Sequence, residues 1–161
     1  MQIFVLDRVP VRAAKYLADT HVVKMCLETA QILSTILSIK GIAPDKSLPK
    51  AYNTNHPVIT AVDTPAKLNW LLEYNFALHT EFYRRFGKCH KYAKLYPKYE
   101  SLLHTYGVEP DCEGMARVFT NFTTQAQDLV EAHRDYYRYK KTVIKRWAYT
   151  KSQEPEWLSN Q

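Results

Sequence analysis

The stretch Asp19-Thr-His-Val-Val-Lys-Met-Cys-Leu-Glu-Thr-Ala-Gln-Ile-Leu-Ser-Thr-Ile-Leu37 constrains the fold more than any other part of the chain. Val22, Cys26, Leu33, Ile36 and Leu37 recur at helical spacing as one apolar side, and Val23, Met25 and Leu27 widen it. A helix apolar over most of its circumference has to be buried by other elements. His21, Lys24, Glu28 and Gln31 interrupt that surface, and at roughly 100° per residue they fall within an arc of about 80°. A base, a cation, a carboxylate and an amide on one face of a core helix make either a buried hydrogen-bond network or an active site. Spacing alone leaves both open, with a solvated i, i+4 Lys–Glu pair as the structural alternative.

The rest of the chain has to cover this helix, and helix signals dominate it. Gln2–Leu6 reads as a short strand or an extended buried arm, and a short helix is expected over Pro10–Tyr16, with Pro early where its missing N–H is harmless. Asp19 is the expected N-cap of the main helix, and Gly41 marks its end. Pro44, Pro49 and Pro57 exclude a continuous helix between Gly41 and Asp63, a long loop of the kind that carries function. Thr64-Pro65 opens a second helix with Leu68, Leu71, Leu72, Phe76, Leu78 and Phe82 as its core face, stopped by Gly87. A third helix is expected over Pro97–Tyr106 and a last long one over Thr124–Tyr149, followed by an irregular tail at Glu154–Leu158. The expectation is a mainly α protein: a compact single-domain helical bundle over residues 1–161, with three to four main helices and a short extended N-terminal arm.

Charge and cysteine content narrow the function. Lys and Arg number 22 against 16 Asp and Glu, a net +6 that suits a polyanionic partner such as DNA or a nucleotide. The three cysteines, Cys26, Cys89 and Cys112, are odd in number and read as reduced thiols. The N-terminus is charged too soon for a signal peptide, and no run reads as a membrane span. The expected setting is soluble and cytoplasmic, the host cytoplasm for a phage-encoded chain, without a membrane partner; oligomeric state stays open. No cofactor is expected, since four glycines leave no Gly-rich phosphate loop. No metal is expected either, because the six histidines are scattered without a nearby Cys pair, and Cys26 sits on the apolar face.

Three further constellations carry chemistry. Pro57 holds His56 extended in Asn55-His56-Pro57, so His56 either points into a cleft or bonds its own turn. Arg84, Arg85, Lys88, His90 and Lys91 cluster at a helix C-terminus, where they complement the macrodipole or contact phosphate. Arg134, Tyr136, Tyr137, Arg138, Tyr139, Lys140 and Lys141 interleave cations with rings, a mixture that neutralises phosphates while stacking on unpaired bases. The alternative is an amphipathic helix with tyrosines packed inward beneath a basic exterior.

Leu17-Ala-Asp-Thr-His21, with Glu28 seven residues on, resembles the signature helix of the pyrimidine-dimer DNA glycosylase family, the endonuclease V type of repair enzyme known from phage and bacteria. The resemblance continues through Asn55-His56-Pro57 and the helix from Lys67 to Arg85, and returns in Tyr136-Tyr-Arg-Tyr-Lys140. It implies an all-helical enzyme that flips a nucleotide, with an N-terminal α-amine attacking C1′, a helix-borne Glu and strand nicking by β-elimination. It assigns that Glu to Glu28 and the histidine before it to His21. The chain departs from the pattern at residue 2, a Gln that blocks removal of Met1, and at Leu27 and Gln31, where the family carries arginines.

The leading expectation is thus a DNA N-glycosylase, with or without lyase activity, acting on a damaged or modified base flipped from DNA. Glu28 would stabilise the oxocarbenium-like state, His21 would assist it, and Lys24 or the Met1 amine would be the nucleophile. Gln31, Asn55 and His56 would contact substrate, and the two basic segments would grip DNA. Two alternatives stay open: a pocket enzyme acting on a free or modified nucleotide, and a non-catalytic basic DNA-binding or inhibitor protein.

Overall fold

The computed structural model describes residues 1–42 and 45–159, so Pro44 lies outside the described residues. Seven α-helices and one 3₁₀ turn occur among them, and no strand: α1 Pro10–Lys15, α2 Asp19–Ile39, α3 Pro57–Thr60, α4 Pro65–Phe86, a 3₁₀ turn at Ala93–Leu95, α5 Tyr96–Leu103, α6 Leu129–Val143 and α7 Glu156–Ser159. The protein is the mainly α bundle expected. Residues 2–6 form an extended arm rather than a strand, buried throughout their length.

Local chemistry explains where α4 starts and stops. Thr64 accepts the Lys67 N–H at 3.3 Å, Pro65 occupies the first turn, and Gly87 takes the left-handed conformation at φ 68° that a side chain would strain. Leu68, Leu71, Leu72, Leu78 and Phe82 are buried as expected, whereas Phe76 is exposed and lies against Tyr96. α2 is the core helix: Val22, Met25, Cys26, Leu33, Ile36 and Leu37 are buried against α4, α5 and the arm, while Val23 faces solvent. Its length and apolarity would suffice to cross a membrane, contrary to the sequence expectation. Most of it is instead enclosed by the rest of the bundle.

Four boundaries differ from expectation for identifiable reasons. Asp19 is the first residue of α2 rather than its cap; its carboxylate accepts the Thr150 N–H and hydroxyl and an Arg85 N–H instead. α5 ends at Leu103 because His104 turns extended, three residues before Gly107. α6 begins after Asp128, which caps Glu131 N–H at 3.0 Å, while the Thr124 hydroxyl bonds Asp135 across the loop. It stops at Val143 because the β-branched run Thr142-Val143-Ile144 favours extended backbone, which Ile144 adopts at ψ 120°. The tail then closes with the short helix α7 rather than irregularly.

Arg85 joins these pieces. Its guanidinium is fully buried and donates to the carbonyls of Leu17 at 2.7 Å and Lys15 at 3.0 Å, to Glu81 at 3.0 Å and to Asp19 at 3.1 Å. The end of α4 is thereby tied to the α1–α2 corner, and through Asp19 to the C-terminal tail. Two carboxylates and two carbonyls converge there on one planar cation, a geometry an ammonium cannot reproduce. Arg85→Leu should cost about 3–5 kcal/mol by taking the donor from the Leu17 and Lys15 carbonyls and the shared cation from Glu81 and Asp19, and Arg85→Lys should recover only part of it. Urea unfolding checks this; an unchanged midpoint in both variants would contradict it.

Candidate active site

Glu28 lies on α2 with its side chain 12% exposed, and it is held from two sides. The Gln2 backbone N–H donates to Oε2 at 2.9 Å, and Lys24 Nζ lies 3.5 Å from Oε1. The arm reaches this point because Ile3, Phe4, Val5 and Leu6 are anchored in the core. Gln2 locks its end: the side-chain amide donates to the Val118 carbonyl at 2.8 Å and accepts the Ile3 N–H at 3.0 Å. Consecutive backbone nitrogens are roughly 2.8–3.6 Å apart, so the Met1 α-nitrogen lies within about 6.5 Å of the Glu28 carboxylate.

His56 completes the cluster. Its Nδ1 accepts the Val58 N–H at 3.2 Å and so caps α3, while its ring packs edge-on against Tyr52. Its pKa is lowered, by partial burial first and by the positive chain terminus second, while Glu28 opposes the shift. The turn-bonding role and proximity to the carboxylate therefore coexist. Asn55 is exposed, its N–H bonding Asn53 in an Asx turn, and Gln31 is half-buried one turn beyond Glu28.

His21 belongs to a different environment. Seven residues before Glu28, it is about 10.5 Å away along the helix axis. Its ring sits among Phe4, Tyr137 and Trp147, with centroids 4.9, 5.1 and 5.5 Å away. The Tyr137 hydroxyl accepts the Ala18 N–H at 2.8 Å and is hydrogen-bonded to His21 Nδ1, also at 2.8 Å. Burial, with Lys140 and Lys24 adding to it, lowers the His21 pKa from 6.5 to about 3, so the ring is neutral. The polar stripe divides: His21 joins α2 to α6 and the arm, Glu28 meets the chain terminus, and Lys24 extends half-exposed from the pair.

The basic segments divide in the same way. Arg85 is structural, against the expectation of a phosphate contact, because the α1–α2 corner consumes its donors. Arg84 is exposed but bonds Glu81 at 2.8 Å and the Lys151 carbonyl, and His90 packs on Phe82 and Tyr92. Arg134 donates to the Leu6 carbonyl at 2.9 Å, Arg138 to Asp135 at 2.7 Å, and Lys141 pairs with Glu154. Tyr136 and Tyr137 pack inward, whereas Tyr139 and Lys140 are half-buried. Lys88, Lys91, Lys145 and Arg146 are exposed.

Two features have no counterpart in the sequence reading. Gln2 is the residue that fixes the arm, and Phe119 and Phe122 reach back from the loop before α6 to pack on Tyr136 at 4.8 Å and Tyr139 at 5.2 Å. A Phe-rich turn beside a Tyr-rich helix was the available signal for the second. A groove of about 740 Å³ between Tyr16, Arg84 and the 151–157 tail does not include Glu28.

Neutral buried histidines make the fold acid-sensitive. His21 is lowered to about 3 and His133 to about 4, mainly by burial, so below pH 6.5 the unfolded chain binds protons that the folded chain refuses. Their contribution is complete above 6.5 and lost as pH falls toward the folded values, each by up to about 1.4 kcal/mol per pH unit. The urea midpoint should therefore drop between roughly pH 7 and roughly pH 5. A flat midpoint across that window would contradict these placements.

The family model described as pyrimidine dimer DNA glycosylase matches residues 1–95, which contain the arm, α2 with Glu28, the His56 turn and α4. No curated protein and no solved structure matches the chain. With more than half of its residues matched, the chain belongs to the pyrimidine dimer DNA glycosylase family.

Proposed function

We propose that this chain is a DNA glycosylase in which Glu28 and the α-amine at Met1 form the reaction centre. The Gln2 N–H bond to Glu28 carries this reading, because it brings the start of the chain to the carboxylate of the core helix. A deprotonated amine attacks C1′ of the flipped nucleotide, and the base leaves with the glycosidic electron pair. The Glu28 carboxylate stabilises the positive charge that develops on the sugar. Opening of the sugar ring then gives an imine, from which β-elimination of the 3′ phosphate nicks the strand. Family membership supports DNA as the substrate partner and a pyrimidine dimer as the lesion class.

Lys24 is the competing amine, 3.5 Å from Glu28 but half-exposed and already serving as the carboxylate's counter-ion. His21 is better suited to positioning α2 than to touching substrate, given its closed aromatic surroundings. Phosphate contact falls to exposed cations such as Lys88, Lys91, Lys145 and Arg146, with Tyr139 and Phe122 offering rings near the arm.

Base release from dimer-containing duplex DNA is the test. Glu28→Gln keeps an acceptor for the Gln2 N–H while removing the charge, and should lower the rate by at least about 100-fold with the melting temperature little changed. Release surviving in Glu28→Gln would refute the assignment. Wild-type protein that releases no base from any DNA, yet turns over a free nucleotide, would favour the pocket-enzyme reading.

A further inference from the structure

Cys26 of α2, His79 of α4 and His90 of the segment after α4 lie far apart in sequence, yet one ligand atom from each falls within 4.8 Å of the others. The sequence reading saw scattered histidines and expected no metal; packing of α2 on α4 brings them together. Cys26 is fully buried, His79 is 8% exposed and His90 is half-buried. Apolar packing explains the cysteine but not the two imidazoles beside it. Buried polar atoms are nearly always paired, and His79 Nδ1 and the neighbouring Asn75 Oδ1 have no partner.

We propose that Cys26, His79 and His90 form a binding site for a borderline-soft divalent cation, zinc above all. One thiolate and two imidazoles are a donor set that zinc accepts, with a fourth position left to solvent at the half-exposed His90 side. Metal–ligand lengths of roughly 2.0–2.3 Å place tetrahedral ligand atoms roughly 3.4–3.6 Å apart, so closure asks for a contraction of about 1 Å. His90, on a loop rather than a helix, can supply it.

The neighbours set what binding has to rearrange. The Asn75 amide nitrogen donates to Thr29 Oγ1 at 2.7 Å and lies 3.4 Å from His79 Nε2; coordination through Nδ1 puts the ring proton on Nε2, where the unpartnered Asn75 Oδ1 would accept it once the amide turns over. His90 Nδ1 accepts the Tyr92 N–H at 3.3 Å, so coordination through Nδ1 replaces that bond while the ring proton stays on Nε2. Binding displaces the Cys26 proton to solvent and forms a metal–thiolate bond, with no change in oxidation state. Cys26 and Glu28 are roughly 200° apart around α2, so the ion would staple α2 to α4 and its following loop rather than take part at Glu28.

Metal titration of the untagged full chain, stripped with chelator, tests the proposal. Cobalt should bind at one equivalent with a thiolate-to-metal charge-transfer band and tetrahedral ligand-field absorption, and zinc should displace it. Zinc should also raise the melting temperature of the wild type. Both signals should vanish in Cys26→Ser and in His90→Gln, and persist in Cys89→Ser and Glu28→Gln. His90→Gln lies at a half-exposed loop position, so its melting temperature in chelator should match the wild type and separate lost binding from lost folding. Absence of stoichiometric binding would overturn the proposal, as would binding that survives in Cys26→Ser and His90→Gln or disappears in Cys89→Ser.

Discussion

A carboxylate on the most apolar helix of the bundle needs a hydrogen-bond donor, and the first backbone amide after Met1 provides it. The Gln2–Glu28 contact at 2.9 Å is the point from which the rest of the site follows. The arm has to be buried for that amide to arrive, so Ile3 to Leu6 replace what would otherwise be exposed surface on α2. Phe4 in turn closes the aromatic cage around His21, and Gln2 draws in Val118 and with it the Phe119–Phe122 loop. Burial of the arm positions the chain terminus at the carboxylate. Hydrophobic anchoring and chemistry are thus two consequences of one run of residues.

The cations sort by what they touch. Arg85, Arg134 and Arg138 carry planar donors that match backbone carbonyls and carboxylates, and they are spent holding the corners of the fold together. Lysines at the surface keep their charge toward solvent, where a moderate net +6 favours a polyanion without fixing sequence preference. In the proposed glycosylase reading, the exposed Lys88, Lys91, Lys145 and Arg146 are the cations left to meet DNA.

What the sequence disclosed depended on how local the determinant is. The ends of α4 were readable because Thr64, Pro65 and Gly87 act within one turn of themselves. The buried face of α2 was readable from periodicity, and family resemblance singled out Glu28 on it. Arg85 was misread as a phosphate contact because its partners Lys15, Leu17 and Asp19 are 70, 68 and 66 residues away. The Cys26–His79–His90 cluster was missed for the same reason. The split of the polar stripe was hidden too: helical angle gives a face, but Tyr137 and Gln2, from opposite ends of the chain, decide what each side chain on it meets.

In the proposed mechanism the chain terminus, not a lysine, is the amine presented to the sugar beside Glu28. Borohydride reduction of the imine on abasic-site DNA, followed by proteolysis and mass mapping of the linked peptide, tests it most directly. An adduct on the α-nitrogen of the N-terminal residue is the predicted result. An adduct on Lys24, or none under conditions where base is released, would contradict it.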